Sequence, residues 1–179
     1  MDSDRLALAT RPESGEFLPY FGQYIALVPD GDLLTILARQ VEDVCAALAA
    51  VEASKAATPP APAEWSPLDI AVHLADTERV LAFRAFTFAR APGSELPSVE
   101  FEEIAETAGA NDRRVPDVIA ELRSVRAASL ALFGSLARDA WIQSGIASGS
   151  PVSVRALAFI IAGHDLHHLP DLLPAQSVV

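Results

Sequence analysis

The sequence contains one cysteine, one methionine and nine glycines among its 179 residues. A single cysteine, Cys45, excludes a disulfide within the chain and is typical of proteins of the reducing cytoplasm, where we expect this one. Glycine is scarce whereas alanine and leucine are abundant. Since both of these are strong helix formers, the composition favours helices over strands. The chain is long enough for one domain with a hydrophobic core.

Basic residues are also few, with 13 lysines and arginines against 24 aspartates and glutamates, which gives a net charge of −11. Such a chain repels a phosphate backbone and has no basic stripe to offset the repulsion, so nucleic acid is not an expected partner. The longest apolar run of the last third, 156–162, is too short to span a bilayer. The first twenty residues lack the regions of a signal peptide. We therefore expect no membrane partner and no secretion.

Four long stretches of the sequence have apolar residues at helical spacing. Their predicted starts are marked by N-cap residues or by prolines in the first turn: Asp30 or Asp32, Ser66 with Pro67, Pro116, and Ser150 or Ser153. A short helix is predicted around 100–107, and a loop with a brief extended pair over 139–152. These elements predict an all-α fold, a four-helix bundle with a long crossover connection. Residues 1–16 are expected to form a flexible arm, and 17–179 a single domain.

Three of the four histidines fall within five positions, at 164, 167 and 168. His164 and His168 are four residues apart, so on a helix they point in nearly the same direction, along a core-facing stripe. His73 lies on a similar inward stripe of the second predicted helix. Buried imidazoles need polar partners. A divalent metal can bind all three and keep an open coordination position, as catalytic sites do.

Other interpretations of these histidines remain open from spacing alone. His73 fits a core histidine bonded to a carbonyl, and the other three fit a polar helix end, where imidazolium interacts favourably with the helix dipole. His164 with His167 is a competing ligand pair, although the spacing of His164 and His168 makes the better chelate. Pro170 is expected to end this helix, because proline removes a backbone N–H and crowds the carbonyl four residues earlier. A bend at that point would shift His168.

At these residues the chain resembles the DinB/YfiT-like superfamily of metal-binding four-helix bundles. The resemblance rests on WSPLDIAVHLADTERV at 65–80, RALAFIIAGHDLHHL at 155–169 and YIALVPDGDLLTILARQ at 24–40. In that family a histidine of the second helix and an H-x3-H pair of the fourth hold a metal, and the matching positions here are His73, His164 and His168. The resemblance therefore implies a divalent metal ion at these residues, with zinc or nickel as the expected ion.

Family members with known activity are thiol-dependent transferases or isomerases, so the resemblance implies a metal-dependent S-transferase. Its expected partners are a low-molecular-weight thiol, which serves as cosubstrate, and a small electrophile. An open three-histidine site fits this chemistry, because a divalent cation favours the thiolate form of a thiol. Asp76 and His167 are the candidate catalytic side chains, although Asp76 is also placed to pair with Arg79. We expect the protein to form a homodimer.

Two further functions remain alternatives. The sequence HDLHH at 164–168 is a variant of the zinc-protease motif H-E-x-x-H, with Asp165 as the base of a metal-dependent hydrolase. The other alternative is a non-enzymatic, stress-associated metal-binding protein. We expect structural roles for four other side chains: salt links between helices for Glu78 and Arg84, and packing at helix ends for Trp65 and Trp141.

Overall fold

Four long helices form a bundle in the computed structural model, which describes residues 10–173. They are α2 (Leu33–Ala50), α3 (Pro67–Arg90), α5 (Val115–Gly134) and α6 (Val154–Leu172), and the two short helices are α1 (Gly22–Leu27) and α4 (Phe101–Thr107). The predicted all-α four-helix bundle is confirmed. None of the helices between residues 10 and 173 is long and apolar enough to cross a membrane.

Side-chain caps fix the starts of three long helices. The Asp32 carboxylate accepts a backbone N–H at the start of α2, and the Ser153 hydroxyl does the same at the start of α6, so these residues are the caps rather than Asp30 and Ser150. Ser66 forms a reciprocal capping box at the start of α3, and Pro67 follows it in the first turn. Local chemistry thus sets where each of these helices begins.

The segment 91–114 is the long crossover. It leaves the end of α3 and returns along the bundle, so that Asn111 reaches the start of α3. There the Asn111 amide donates to Asp69 at 3.1 Å, and its carbonyl oxygen accepts from the Ser66 hydroxyl at 2.7 Å. Since α5 begins directly after this point, α3 and α5 run parallel.

Helices α2 and α3, which follow each other in the chain, lie diagonally across the bundle. Both α2 and α3 pack against α5 and α6, but α2 and α3 make few contacts with each other. Helix α6 runs antiparallel to α3: His73 near the start of α3 contacts His164 near the end of α6. At the opposite end, Arg84 of α3 and Leu157 of α6 line one cavity. The histidines thus lie at one end of the bundle.

A small sheet lies at the opposite end, around the turn that leads into α6. Its strands are β1 (Glu95–Leu96), β2 (Ser144–Ala147) and β3 (Ser150–Ser153), in the order β1-β2-β3. Strands β2 and β3 pair antiparallel, which is the extended pair predicted within 139–152, whereas β1 pairs parallel with β2 and was not predicted. A two-residue strand has no periodicity to detect.

Arg126 of α5 lies at the centre of the bundle and contacts all three other long helices. Its guanidinium donates to both carboxylate oxygens of Glu78 on α3, at 2.8 and 2.9 Å, and to Asp165 on α6 at 2.7 Å. It also donates to the backbone carbonyl of Leu37 on α2 at 2.6 Å. All three charged side chains are buried. The salt link predicted for Glu78 is therefore present.

Two local predictions were wrong. Arg84 forms no salt bridge with any residue of the described range; its guanidinium donates to the Pro97 carbonyl and the Ser148 hydroxyl instead. Helix α6 does not end before Pro170 but continues through it to Leu172. A proline in the last turn removes only its own N–H, so one hydrogen bond is lost while the turn still forms. Trp141 is buried and stacks on Phe133, as predicted for a packing residue.

The segment before α1 is tied to the start of α6 by Glu16. Its carboxylate accepts from the Ser153 hydroxyl at 2.7 Å and from the Arg155 guanidinium, and its carbonyl accepts the Ser153 N–H at 3.0 Å. Partial burial raises the pKa of Glu16, but these hydrogen bonds together lower it by more than burial raises it. The resulting pKa is about 2. Of the flexible arm predicted for residues 1–16, residues 1–9 lie outside the described range, and the arm's flexibility stays a prediction.

Candidate metal site

Three histidines converge between α3 and α6. One ring nitrogen from each of His73, His164 and His168 lies within 4.8 Å of the other two, and Nε2 of His73 is 3.1 Å from Nε2 of His164. His73 and His164 are buried and His168 is half-buried. The i, i+4 spacing in α6 brings its two rings to one side, with ring centroids 4.7 Å apart. The side chains singled out by spacing are thus brought together.

Burial keeps these imidazoles unprotonated. It lowers the pKa of His73 to about 4, and the neighbouring His168 adds to this shift. It lowers the pKa of His164 well below the ordinary value, with charge repulsion from the other histidines contributing. Burial also lowers the pKa of His168, as does His167, while Asp171 opposes the shift. Neutral rings at pH 7 present free lone pairs, the form of histidine that binds a metal.

Aromatic rings surround the histidines on two sides. Trp65 lies just before α3, with its ring centroid 4.6 Å from that of His73 and 6.2 Å from that of His168. Tyr24 of α1 lies edge-on to His164, with centroids 5.5 Å apart, and its hydroxyl is hydrogen-bonded to that of Tyr20. These rings limit the access of water to the imidazoles. Trp65 therefore lies against two of the three histidines in addition to packing at a helix end.

Gly163 allows α1 to lie directly on α6 beside the histidines. A Cβ atom at this position would be 2.1 Å from the carbonyl oxygen of Tyr24, a distance that real Cβ atoms do not show. Glycine is needed here for the close approach of two backbones. The position of Tyr24 against His164 follows from that approach.

The two predicted catalytic side chains lie at the edge of this site. His167 is exposed, and its ring is edge-on to Tyr24 at 5.1 Å and to His168 at 4.8 Å, but it offers no atom to the convergent group. Asp76 accepts from Arg79 at 2.7 Å and makes no hydrogen bond to an imidazole of residues 10–173. Asp76 is therefore paired with Arg79, which is the alternative that the sequence also allowed. The catalytic roles of Asp76 and His167 stay predictions.

Asp165 does not point towards the histidines as a base. Its carboxylate is bound to Arg126 in the bundle centre, and burial raises its pKa to about 6 although Arg126 opposes the shift. The prediction of Asp165 as a hydrolytic base is therefore wrong, because Arg126 holds this carboxylate in the bundle centre.

Two residues near the site were missed by sequence reasoning. Tyr24 lies in a helix of six residues, too short for a periodic signal. The Asp171 carboxylate is 3.5 Å from Nδ1 of His168, which is buried and has no hydrogen-bond partner in the described range. The i, i+3 spacing of His168 and Asp171 could have identified this second contact.

The histidine group fits a metal ion in two respects: its donors are imidazole nitrogens, and two of these nitrogens are separated by a distance suited to one ion. Zinc–nitrogen bonds of about 2.0–2.1 Å at tetrahedral angles place two ligand nitrogens roughly 3.3 Å apart. The two Nε2 atoms of His73 and His164 are 3.1 Å apart, which matches two ligands of one ion. These two Nε2 atoms lie within hydrogen-bond distance of each other, and one shared ion would serve as the partner of both.

Comparison with known proteins agrees with the fold. The family model described as the DinB superfamily matches residues 36–171. Among solved structures, the chain is similar to YfiT from Bacillus subtilis, described as a probable metal-dependent hydrolase with an unusual four-helix bundle topology. The two are 15% identical with a TM-score of 0.68, over 92% of this chain and 95% of YfiT. No curated protein matches the sequence. Since the family model covers well over half of its length, the chain belongs to the DinB superfamily.

Proposed function

We propose that the protein is a metal-dependent S-transferase that joins a small thiol to an electrophile, with His73, His164 and His168 as the metal ligands. The observation that carries the proposal is a convergent group made of imidazoles alone, with no carboxylate from residues 10–173. Three neutral ligands leave the charge of a divalent ion uncompensated, which favours an anionic partner such as a thiolate. The likeness to YfiT, a probable metal-dependent hydrolase, supports metal dependence.

In the proposed transfer the S–H bond of the thiol breaks, sulfur forms a bond to the electrophilic carbon, and the leaving group departs with its electron pair. Trp65 and Tyr24 shield the reacting groups from water and present ring faces and edges to the electrophile. His167 is exposed beside His168 and is proposed to accept the thiol proton and pass it to solvent.

The ligand assignment is tested by metal analysis of untagged protein. We expect His73→Ala, His164→Ala and His168→Ala each to lose most of the bound metal, because each removes one of three ligands. His167→Ala is the matched control and is expected to keep the metal, since it lies next to His168 but outside the group. A full complement of metal in His73→Ala would overturn the assignment.

The reaction is tested with the loaded protein, a panel of cellular thiols and a panel of alkyl and aryl halides. We expect loss of the electrophile to require both the thiol and His73. His167→Ala and Asp76→Asn are expected to keep the metal and to lower turnover. No thiol-dependent loss across the panels would refute the transferase and leave the hydrolase and the non-enzymatic metal-binding protein.

Hydrolysis is the second candidate, favoured by the likeness to YfiT. It needs a base other than Asp165, which is bound to Arg126. Histidine can serve as such a base, and His167 is the nearest exposed one. Loss of an ester or amide substrate in the absence of thiol, abolished in His73→Ala, would identify the hydrolase instead.

The same proposal includes a homodimer in the cytoplasm, with zinc or nickel as the bound ion. The single buried cysteine supports the compartment alone, because a free thiol suits a reducing one. Light scattering on the purified protein tests the dimer, and elemental analysis of protein purified without added metal tests the ion. Finding a monomer at cellular concentrations would refute the proposed dimer, and the proposed metal site would still stand.

A further inference from the structure

The side chain of Arg84 is a buried cation without a carboxylate. The residue is only 5% exposed, and its Nη2 donates to the Ser148 hydroxyl at 3.1 Å and to the Pro97 carbonyl at 3.4 Å. No carboxylate of residues 10–173 forms a salt bridge with it, and burial lowers its pKa. Arg126, by contrast, has two carboxylate partners. A buried charge without a counter-charge is costly, so this guanidinium is expected to have an anionic partner.

The guanidinium faces a cavity of about 60 Å³ between α3, α6 and the β2–β3 hairpin. Most of its wall is apolar, with Leu81, Leu157 and Ile160 on the helices, and Arg84 is its charged group. A cavity needs only about 10–15 Å³ to hold one water, so this one has room for a small molecule. Ser148, which also lines the cavity and accepts from Arg84, is exposed, so the hydrogen-bonding group next to the guanidinium is in contact with solvent.

Ser148 contributes a second hydrogen-bond donor at the mouth of the cavity. With Gly149 it forms the hairpin turn, and both have left-handed backbones, with φ of 53° and 74°. Glycine or asparagine suits this conformation better than serine. The serine hydroxyl accepts from Arg84 and keeps its own hydrogen to donate. A guanidinium and a hydroxyl therefore converge on one small space.

We propose that this cavity binds a small aliphatic carboxylate, such as propionate or butyrate. The planar guanidinium pairs with a carboxylate through two parallel hydrogen bonds, and the hydroxyl of Ser148 adds a third. The alkyl chain lies against the apolar wall formed by Leu81, Leu157 and Ile160. Inorganic phosphate fits less well, because its further oxygens would face that wall without donors.

This site is separate from the histidines. Arg84 lies eleven residues after His73 on α3, which is roughly 16 Å along the helix axis. The carboxylate site therefore does not depend on a bound metal, and its test does not depend on the proposed transferase.

The test is an NMR titration of the full-length, metal-free protein with acetate, propionate and butyrate at constant ionic strength. We expect the signals of the Arg84 side-chain N–H and the Ser148 amide to shift. The dissociation constant is expected to fall about fourfold for each added methylene, the effect of burying one CH2 group. Chloride and phosphate are titrated in parallel and are expected to bind at least tenfold more weakly than butyrate.

Three variants make the result specific. Arg84→Met is expected to weaken butyrate binding at least tenfold, the loss of a charge-assisted pair. Ser148→Gly keeps the turn, removes the hydroxyl and is expected to weaken binding about two- to tenfold. Arg39→Met is the matched control, since this arginine is exposed on α2 and is expected to leave binding unchanged.

The unfolding temperature of Arg84→Met without ligand is expected to equal or exceed that of the wild type, because an unpaired buried charge is removed. Ser148→Gly tests the site independently should Arg84→Met fail to fold. Equal binding by Ser148→Gly and the wild type would overturn the proposal, as would chloride or phosphate binding as tight as butyrate. No shift of the Arg84 and Ser148 signals at saturating butyrate would also overturn it.

Discussion

Gly163→Ala tests whether the approach of α1 to α6 holds the wall of the histidine site in place. The new Cβ would lie 2.1 Å from the Tyr24 carbonyl oxygen, whereas ordinary contacts begin at 3.4 Å, so α1 must move by 3.4 − 2.1 = 1.3 Å. Overpacking of this kind costs up to about 3 kcal/mol. Alanine offsets about 1 kcal/mol of this through its helix propensity. The expected net loss of about 2 kcal/mol corresponds to a decrease of about 4–8 °C in the unfolding temperature.

Urea denaturation measures this loss, and hydrogen exchange of the α1 amides locates it. Gly134→Ala is the matched control, because Gly134 is also helical but a Cβ there meets only Leu34 Cδ1 at 4.0 Å. We expect this variant to be as stable as the wild type or up to about 1 kcal/mol more stable. If Gly163→Ala were as stable as Gly134→Ala, with α1 equally protected, the close approach would not be a constraint.

Three further changes have definite expected outcomes. Arg126→Met should reduce the free energy of unfolding in urea by about 3–5 kcal/mol, because two buried carboxylates lose their counter-charge. Glu16→Gln should make stability less dependent on pH: the lowered pKa of Glu16 stabilises the wild type above pH 4.5, and this contribution is lost as the pH falls towards about 2. Ser66→Ala should cost about 1 kcal/mol in thermal unfolding, through loss of the N-cap of α3.

The controls separate these effects from general damage. Arg123→Met removes an exposed partner of Glu42 and should change the free energy of unfolding little, because solvent screens this pair. A cost as small for Arg126→Met would show that its partners are not desolvated. A difference between Glu16→Gln and the wild type that stays constant from pH 7 to pH 3 would contradict the lowered pKa. Ser54→Ala, on an exposed side chain, is the control for Ser66→Ala.

The parts of the fold that local chemistry dictates were predictable from the sequence. Ser66 with Pro67 marks the start of α3, because a cap and a first-turn proline act on the residues beside them. The inward direction of His164 and His168 follows from helical periodicity alone. The family resemblance connected these rings to His73, which lies 91 residues earlier than His164 and 3.1 Å away in space.

What could not be predicted depends on pairing between distant segments. The contact of Arg126 with Asp165 crosses the bundle diagonally, and nothing local distinguishes that aspartate from a motif base. Arg84 was predicted to form a salt link between helices, yet the hairpin brings it a hydroxyl instead. The short α1 has no detectable period, although it carries Tyr24 to the histidine site.

The central position of Arg126 has a consequence for the order of events in folding. Its hydrogen-bond partners come from α2, α3 and α6, so no three of the long helices can form all the hydrogen bonds of this cluster. An intermediate that lacks α6 leaves Glu78 and Arg126 without Asp165, and one that lacks α5 leaves two acids without a cation. Partly assembled bundles are thereby penalised, and the four helices are expected to exchange their amide protons as a single cooperative unit.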